Sequence, residues 1–218
     1  MRVLPSPDVP VVWTVVVAAG SGSRFGGPKQ FEMLGGRRVV DWSIATAKQA
    51  SNGVVVVVPL GYAGRVGLEG AVEGGPTRSA SVRNGLARVP SDADIVCIHD
   101  AARPFASGEL FTRVIAAVVA GADGAVPGLP VADTVKQIDA SGAVVNTPDR
   151  AFLRAIQTPQ AFRAAILRRA HAATQDRTDD AGLVEGIGGR VVVIDGEPDN
   201  RKLTVPEDLE WARTRIGS

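Results

Sequence analysis

The stretch with the most chemistry in it runs Ala18-Ala19-Gly20-Ser21-Gly22-Ser23-Arg24-Phe25-Gly26-Gly27-Pro28-Lys29-Gln30. It leaves an apolar run and leads toward a helical pattern. Small residues let backbone N–H groups approach an anion closely, and open α/β sheets bind ligands at the carboxyl ends of their strands. Arg24 and Lys29 add fixed positive charge, which suits phosphate. Two familiar phosphate loops are excluded by spacing. A dinucleotide loop needs G-x-G-x-x-G, and Phe25 stands where the third glycine belongs; the strand that follows also ends without an acidic residue for a ribose. A P-loop needs Gly-Lys followed by Ser or Thr, and here Gln30 follows the Lys and no Gly-Lys pair exists.

The elements that must position this loop are legible from periodicity. Residues 11–17 form a nearly unbroken β-branched run, as expected of a strand buried on both faces in a parallel sheet. Similar strands are expected at 54–58 and 94–99, with a strand at 190–194, a weaker candidate at 69–73 and a short one at 124–126 stopped by Pro127. Helical spacing covers 39–49, 78–88, 108–120, 162–173, 180–186 and 206–215, the last opened by Pro206 with Glu207 and Asp208 at its positive end. Strand and helix alternate, so the expectation is an α/β protein with a mostly parallel sheet. One segment breaks the rhythm. Residues 134–138 and 143–147 flank Asp139-Ala140-Ser141-Gly142, a hairpin signal. A lone hairpin is marginal in water, so it should pack on something, and a second subunit is the natural candidate.

Composition narrows the function. A chain of 218 residues fits one domain with a real core, and 45% apolar with 22% charged residues excludes disordered and fibrous classes. The net charge of +1 gives no global field for nucleic acid or membrane surfaces, so any anion site must be local. Only four of the 24 basic residues are Lys. Lys48 and Lys136 read as surface charges, whereas Lys29 and Lys202 fall in informative motifs. Cys97 sits in an apolar run and reads as a buried small hydrophobe; no Cys/His set has zinc spacing. The first residues lack an apolar signal core, and no apolar run approaches the roughly 20 residues of a membrane span. A cytoplasmic protein is expected.

The loop A-A-G-x-G-x-R-x-x-x-x-K-Q resembles that of the cytidylyltransferases acting on 2-C-methyl-D-erythritol 4-phosphate, in non-mevalonate isoprenoid synthesis. The resemblance covers nearly the whole chain. It includes Gly74-Gly75 with Arg78 and Ser81-Val82, His99-Asp100-Ala101-Ala102-Arg103-Pro104, Asp133-Thr134-Val135-Lys136, Arg150, Gln157-Thr158-Pro159-Gln160, Thr178-Asp179 and Asp199-Asn200-Arg201-Lys202. Each motif is weak alone; their shared order and spacing are specific.

The resemblance implies one α/β domain over 1–218, of the nucleotide-diphospho-sugar transferase kind, with residues 134–150 as an arm that locks a homodimer. It implies transfer of CMP from CTP to the polyol phosphate, with release of pyrophosphate. Ala18, Ala19, Gly20, Gly75 and Ser81 would line the cytidine nucleotide, and the loop of Ser21, Gly22, Ser23 and onward to Gly27 would cradle the triphosphate. Arg24 and Lys29 match the transition-state stabilisers, in accord with the need for fixed cations where charge builds on the α-phosphate. Arg150 and Lys202 match positions that hold the polyol phosphate, with Arg150 and Thr134 coming from the partner subunit. Asp100, Arg103, Thr158 and Thr178 would complete that pocket. Magnesium is implied, with Asp100 the nearest carboxylate and its ligands left open. The nucleophile is an anionic phosphate, so no general base is needed, and His99 reads as structural. One departure is Pro76, where some family members carry an acidic residue; ribose contacts would then differ. Transfer to ribitol 5-phosphate, another nucleotide or sugar-phosphate pair, and a non-catalytic nucleotide-binding module stay open as alternatives.

Overall fold

The computed structural model describes residues 9–23, 25–65, 67–173, 177 and 179–216. From β1 (Val12–Val17), the chain passes through a 3-10 turn at Lys29–Phe31 and a small hairpin of β2 (Met33–Leu34) and β3 (Arg37–Arg38). It continues as α1 (Val39–Ala50), β4 (Gly53–Val58), β5 (Val72–Glu73), α2 (Arg78–Leu86), β6 (Ile95–Asp100), α3 (Gly108–Val119) and β7 (Gly124–Pro130). The hairpin of β8 (Gln137–Ile138) and β9 (Val144–Asn146) follows, then β10 (Arg154–Ile156), β11 (Gln160–Arg163), α4 (Ala164–Ala172), α5 (Asp180–Gly186), β12 (Val191–Asp195) and α6 (Pro206–Ile216). Side chains set several helix starts. Thr77 accepts from the Ala80 N–H, Ser107 from Leu110, and Asp179 from Gly182, each satisfying an amide that the helix cannot.

Eight strands make one sheet in the order β10-β7-β11-β6-β1-β4-β5, with β12 alongside β7. β1 lies between β4 and β6 and is parallel to both. Its continuous apolar run follows from burial on both faces. Val15 packs with Val57, Val82, Leu86 and Leu167 on the side of α2, α4 and α5. Val16, its neighbour, packs with Val40, Ala47, Phe111 and Val114 on the side of α1 and α3. Successive strand side chains point to opposite faces, so both must be apolar here. A third cluster, Leu34, Val39, Leu203, Leu209 and Ala212, ties α6 to the β2–β3 hairpin.

The expected α/β architecture and the protruding hairpin are present, with several local corrections. The strand expected to stop at Pro127 runs on to Pro130. Pro127 lies inside it, opposite Ile194 of β12, and its carbonyl accepts from the Gln157 N–H at 2.7 Å. The helix expected from 162 begins at Ala164, because Phe162 belongs to β11. β11 is antiparallel between β6 and β7, and Phe162 fills the space over Gly124, where an added Cβ would lie 2.5 Å from its ring. Periodicity also did not reveal β10, an antiparallel strand on β7, or the β2–β3 hairpin, and the strand expected at 69–73 is confined to Val72–Glu73.

All six residues of β6 are buried, His99 and Cys97 among them. Burial pushes the Cys97 thiol up to about 12, so it behaves as the expected small hydrophobe. Burial is also the largest influence on His99, whose ring packs against Phe111 and whose Nδ1 lies 3.0 Å from the Thr158 hydroxyl. Arg103 adds to the effect and Asp100 opposes it, leaving His99 at about 4, below its ordinary 6.5.

Two expectations follow. Gly85 in α2 packs directly on β1 and β4, and an added Cβ would lie 2.5 Å from Val15 and 2.8 Å from Val57. Gly85→Val should cost about 2 kcal/mol or more through overpacking, read as a lower denaturant midpoint. His99 is neutral in the fold over a range where the unfolded chain takes up a proton. Its stabilising effect is therefore complete above pH 6.5 and lost as pH falls toward 4. The urea midpoint should fall across that window, with a shallower slope in His99→Asn; an unchanged slope would remove His99 as the cause.

Candidate active site

A cleft of about 530 Å³ opens at the carboxyl ends of β1, β4 and β6. The loop after β1 supplies one wall, the start of α2 another, and Asp100 with Lys202 closes the far side. Ala18, Ala19, Gly20, Ser21, Gly22 and Ser23 all line it, as do Lys29, Gly75, Ser81, Asp100 and Lys202. Chain segments far apart in sequence thus meet where a parallel sheet is expected to present a ligand.

The β1 loop is held from within. The Gly22 carbonyl accepts from the amides of Phe25, Gly26 and Gly27, at 2.8, 3.0 and 3.2 Å. Gly22 has φ +67°, and a Cβ there would fall 1.7 Å from the Gly27 carbonyl oxygen, so only glycine fits. The three amides therefore turn inward, and of the described residues in this stretch 18–23, Lys29 and Gln30 line the cleft while 25–28 do not. Gln30 is buried beneath, donating from Nε2 to the carbonyls of Ala18 at 2.7 Å and Gly20 at 3.0 Å. It joins the far end of the loop, next to Lys29, back to its start.

Across the cleft, Gly74 and Gly75 lead into α2 without room for side chains. A Cβ on Gly74 would meet that of Ala19 at 2.4 Å, and one on Gly75 that of Ala80 at 2.5 Å. The Ser81 hydroxyl accepts from the Gly75 N–H at 3.1 Å and donates to the Thr77 carbonyl at 2.9 Å. It shapes the turn that carries Pro76 and Thr77 into the cleft wall.

The strongest electrostatics gather at Asp100, the last residue of β6. One carboxylate oxygen lies 3.3 Å from Arg78 and the other 2.6 Å from Lys202. Burial pushes its carboxyl upward, but Arg78 and Lys202, with Arg103 behind them, hold it well below the usual carboxylate range. Thr158 is buried behind Asp100, accepting its backbone N–H at 3.0 Å. Its hydroxyl supports β6 instead of lining the cleft. Arg103 likewise turns away, donating to the carbonyls of Asn200 at 2.7 Å and Ile156 at 3.3 Å. Burial lowers Arg103, against the pull of Asp100.

Lys202 is placed by its own segment. The Asn200 carboxamide donates to the Thr158 carbonyl at 2.8 Å, Gln157 donates to the Glu197 carbonyl at 2.9 Å, and the Leu203 N–H reaches the Ala102 carbonyl at 2.8 Å. Thr134 and Arg150 are elsewhere: both are exposed on the arm, and Arg150 donates to the Ala132 carbonyl. Neither lines this cleft. Arg24 and Thr178 lie outside the described residues.

Two contributors were not anticipated as site residues. Arg78 lines the cleft and joins Asp100 to Asp180, and Gln30 braces the loop. Both stand inside motifs that drew attention; Gln30 reaches carbonyls 10 and 12 residues away across the loop, while Asp180, a partner of Arg78, lies 102 residues away and leaves no local signal.

The sequence pattern of the 2-C-methyl-D-erythritol 4-phosphate cytidylyltransferase family matches residues 12–218. The protein of that name from Rhodococcus opacus (strain B4) is 48% identical over 217 residues, covering 95% of each chain. Among solved structures, the 2-C-methyl-D-erythritol 4-phosphate cytidylyltransferase of Thermus thermophilus is 36% identical with a TM-score of 0.79, over 94% of this chain and 98% of that one. The 4-diphosphocytidyl-2C-methyl-D-erythritol synthase of Anaerococcus prevotii superposes with a TM-score of 0.83 at 29% identity, over 96% and 99% of the two chains. With the cleft at the strand ends and the ordered motifs around it, these matches place the chain in the 2-C-methyl-D-erythritol 4-phosphate cytidylyltransferase family.

Proposed function

We infer that the chain transfers CMP from CTP to 2-C-methyl-D-erythritol 4-phosphate, giving 4-diphosphocytidyl-2-C-methyl-D-erythritol and pyrophosphate in non-mevalonate isoprenoid precursor synthesis. The observation that carries the reading is one cleft with the β1 loop and Lys29 on one side and Asp100 with Lys202 on the other. A phosphate oxygen of the acceptor attacks the α-phosphorus of CTP, a P–O bond forms, and the bond to pyrophosphate breaks. Both reactants are anions, so bringing them together requires cations on both sides. Lys29, with Arg24 in the same loop, is assigned to the charge that builds on the α-phosphate, and Lys202 to the acceptor phosphate. Residues 18–23, Gly75 and Ser81 bound the nucleotide side. Pro76 stands where an acidic side chain would contact the ribose, so backbone and Thr77 are left to do so.

Among the described residues no group of three or more His, Cys, Asp or Glu could hold a metal alone. Asp100 is the one carboxylate among the described cleft-lining residues. That donor set fits magnesium delivered on a triphosphate, which needs only one or two carboxylates beside phosphate oxygens. Magnesium carried on the triphosphate would draw charge from its phosphates, with Asp100, already paired with Arg78 and Lys202, as the nearest carboxylate.

The arm is assigned to a homodimer. Ile138, Val144 and Val145 on it, and Phe152 just beyond, stay 57–86% exposed. Apolar exposure of this kind on a two-stranded hairpin calls for a partner. The same arm carries Thr134 and Arg150, which the reading places in the neighbouring subunit's acceptor pocket. The enzyme is placed in the cytoplasm, where Cys97 stays reduced; among the described residues no helix is long and apolar enough to cross a membrane.

Pyrophosphate release should appear with CTP, magnesium and methylerythritol phosphate, and Lys29→Ala should lower kcat by roughly a hundredfold to a thousandfold. Turnover with ribitol 5-phosphate instead would move the enzyme to another pathway; CTP binding without any turnover would make it a regulatory module. Val145→Asp should shift sedimentation toward monomer and reduce turnover together, whereas a fully active monomer would exclude a shared site.

A further inference from the structure

We propose that Asp180, backed by His171, is a positioning residue that sets the Arg78 guanidinium in the cleft and, through it, Asp100. The proposal rests on the cytidylyl-transfer reading above and assigns a role to residues outside the cleft lining.

The contacts form one line. His171 Nε2 donates to Asp180 Oδ1 at 2.9 Å, and Arg78 donates to Asp180 Oδ2 at 2.7 Å. The other terminal nitrogen of Arg78 reaches Asp100 Oδ1 at 3.3 Å, and Lys202 donates to Asp100 Oδ2 at 2.6 Å. His171 lies on α4 and Asp180 begins α5; Arg78 opens α2. Five side chains from separate elements are thus joined across the molecule and end on the lysine at the acceptor side.

Asp180 has no exposed side-chain surface, and both its oxygens are occupied. Burial pushes its carboxyl up, but Arg78 and then His171 pull it down further, so it is ionised in the fold. Stability alone does not call for such a group, because a buried ion pair can often be replaced by apolar side chains without loss. An apolar replacement cannot orient a guanidinium. Arg78 is a planar fork, and Asp180 holds one prong. The other prong is left for Asp100, and since it takes only Oδ1, Oδ2 is free for Lys202. Without Asp180, both prongs of Arg78 would turn on Asp100 and compete with Lys202. The burial of Asp180 and His171 therefore fixes how Asp100 divides its two oxygens at the cleft, although neither residue lines it.

A double-mutant cycle in the full chain tests this, read by kcat/KM for methylerythritol phosphate. Asp180→Asn should lower it by about tenfold, as expected for a lost hydrogen bond to a charged group. Arg78→Gln should lower it further, and adding Asp180→Asn to Arg78→Gln should then change nothing. A merely structural Asp180 would give the same proportional loss in both backgrounds; that outcome, or an undiminished Asp180→Asn enzyme, overturns the proposal. If Asp180→Asn does not fold, His171→Gln serves in the same cycle. It should show a smaller loss that disappears in the Arg78→Gln background, and an equal loss in both would count against the proposal. The guanidinium proton resonances of Arg78 give a readout independent of turnover. They should be protected from water exchange in the wild type and lose that protection in the Asp180 or His171 variant. Unchanged protection overturns the positioning role, whereas protection lost in the variants of a protein that turns nothing over would locate the failure in the reaction assigned to the cleft.

Discussion

An ionised carboxylate at the end of a strand with no solvent on either face is costly unless cations and donors meet it. Asp100 is met by Arg78 and Lys202 on its two oxygens and by the Thr158 hydroxyl at its backbone. Much of the surrounding structure serves those three contacts. Gln157 and Asn200 pin the segment that carries Lys202, and Asp180 holds Arg78. His99, next to Asp100 and fully buried, stays neutral and so adds no competing charge. The cleft is the place where this arrangement reaches solvent.

The nucleotide side was readable in the sequence because its determinants are local. A β-branched run, small residues and two cations follow one another within twenty residues, and Gly22 is explained by a contact only five residues away. The acceptor side was readable only as motifs. Thr158 and Arg103 stand in those motifs, yet both turn from the cleft, one to support β6 and the other to brace the segment of Asn200. Sequence patterns say which residues recur together and cannot say which way a side chain faces. Of the strands that periodicity did not identify, β2 and β3 have two residues each and β10 and β11 three and four, too short for an alternating pattern to stand out. The existence of β10 and β11 depends on β7 and β6 offering them edges.

The two sides of the cleft also differ in completeness. The wall proposed for the nucleotide is closely packed, with Gly74 against Ala19 and Ser81. The acceptor wall has Asp100 and Lys202, while Arg150 and Thr134 stand on the exposed arm. The cations that the proposed reading assigns to the second substrate thus stand in two places, Lys202 in the cleft and Arg150 on the arm.

The pair of Asp100 and Lys202 spans 102 residues of chain. The segment bearing Lys202 is secured from below by residues 102, 157 and 158, and from above by the cluster that α6 completes with Leu203 and Leu209. On a ribosome, β1, β4 and β6 emerge long before any of this exists, and the glycine-rich loop can already close on itself through Gly22. The far wall of the cleft waits for the last strand and helix to dock. Vectorial synthesis therefore passes through a stage in which the strand ends are formed and Arg78 faces Asp100 while Lys202, its closest cation, has yet to arrive.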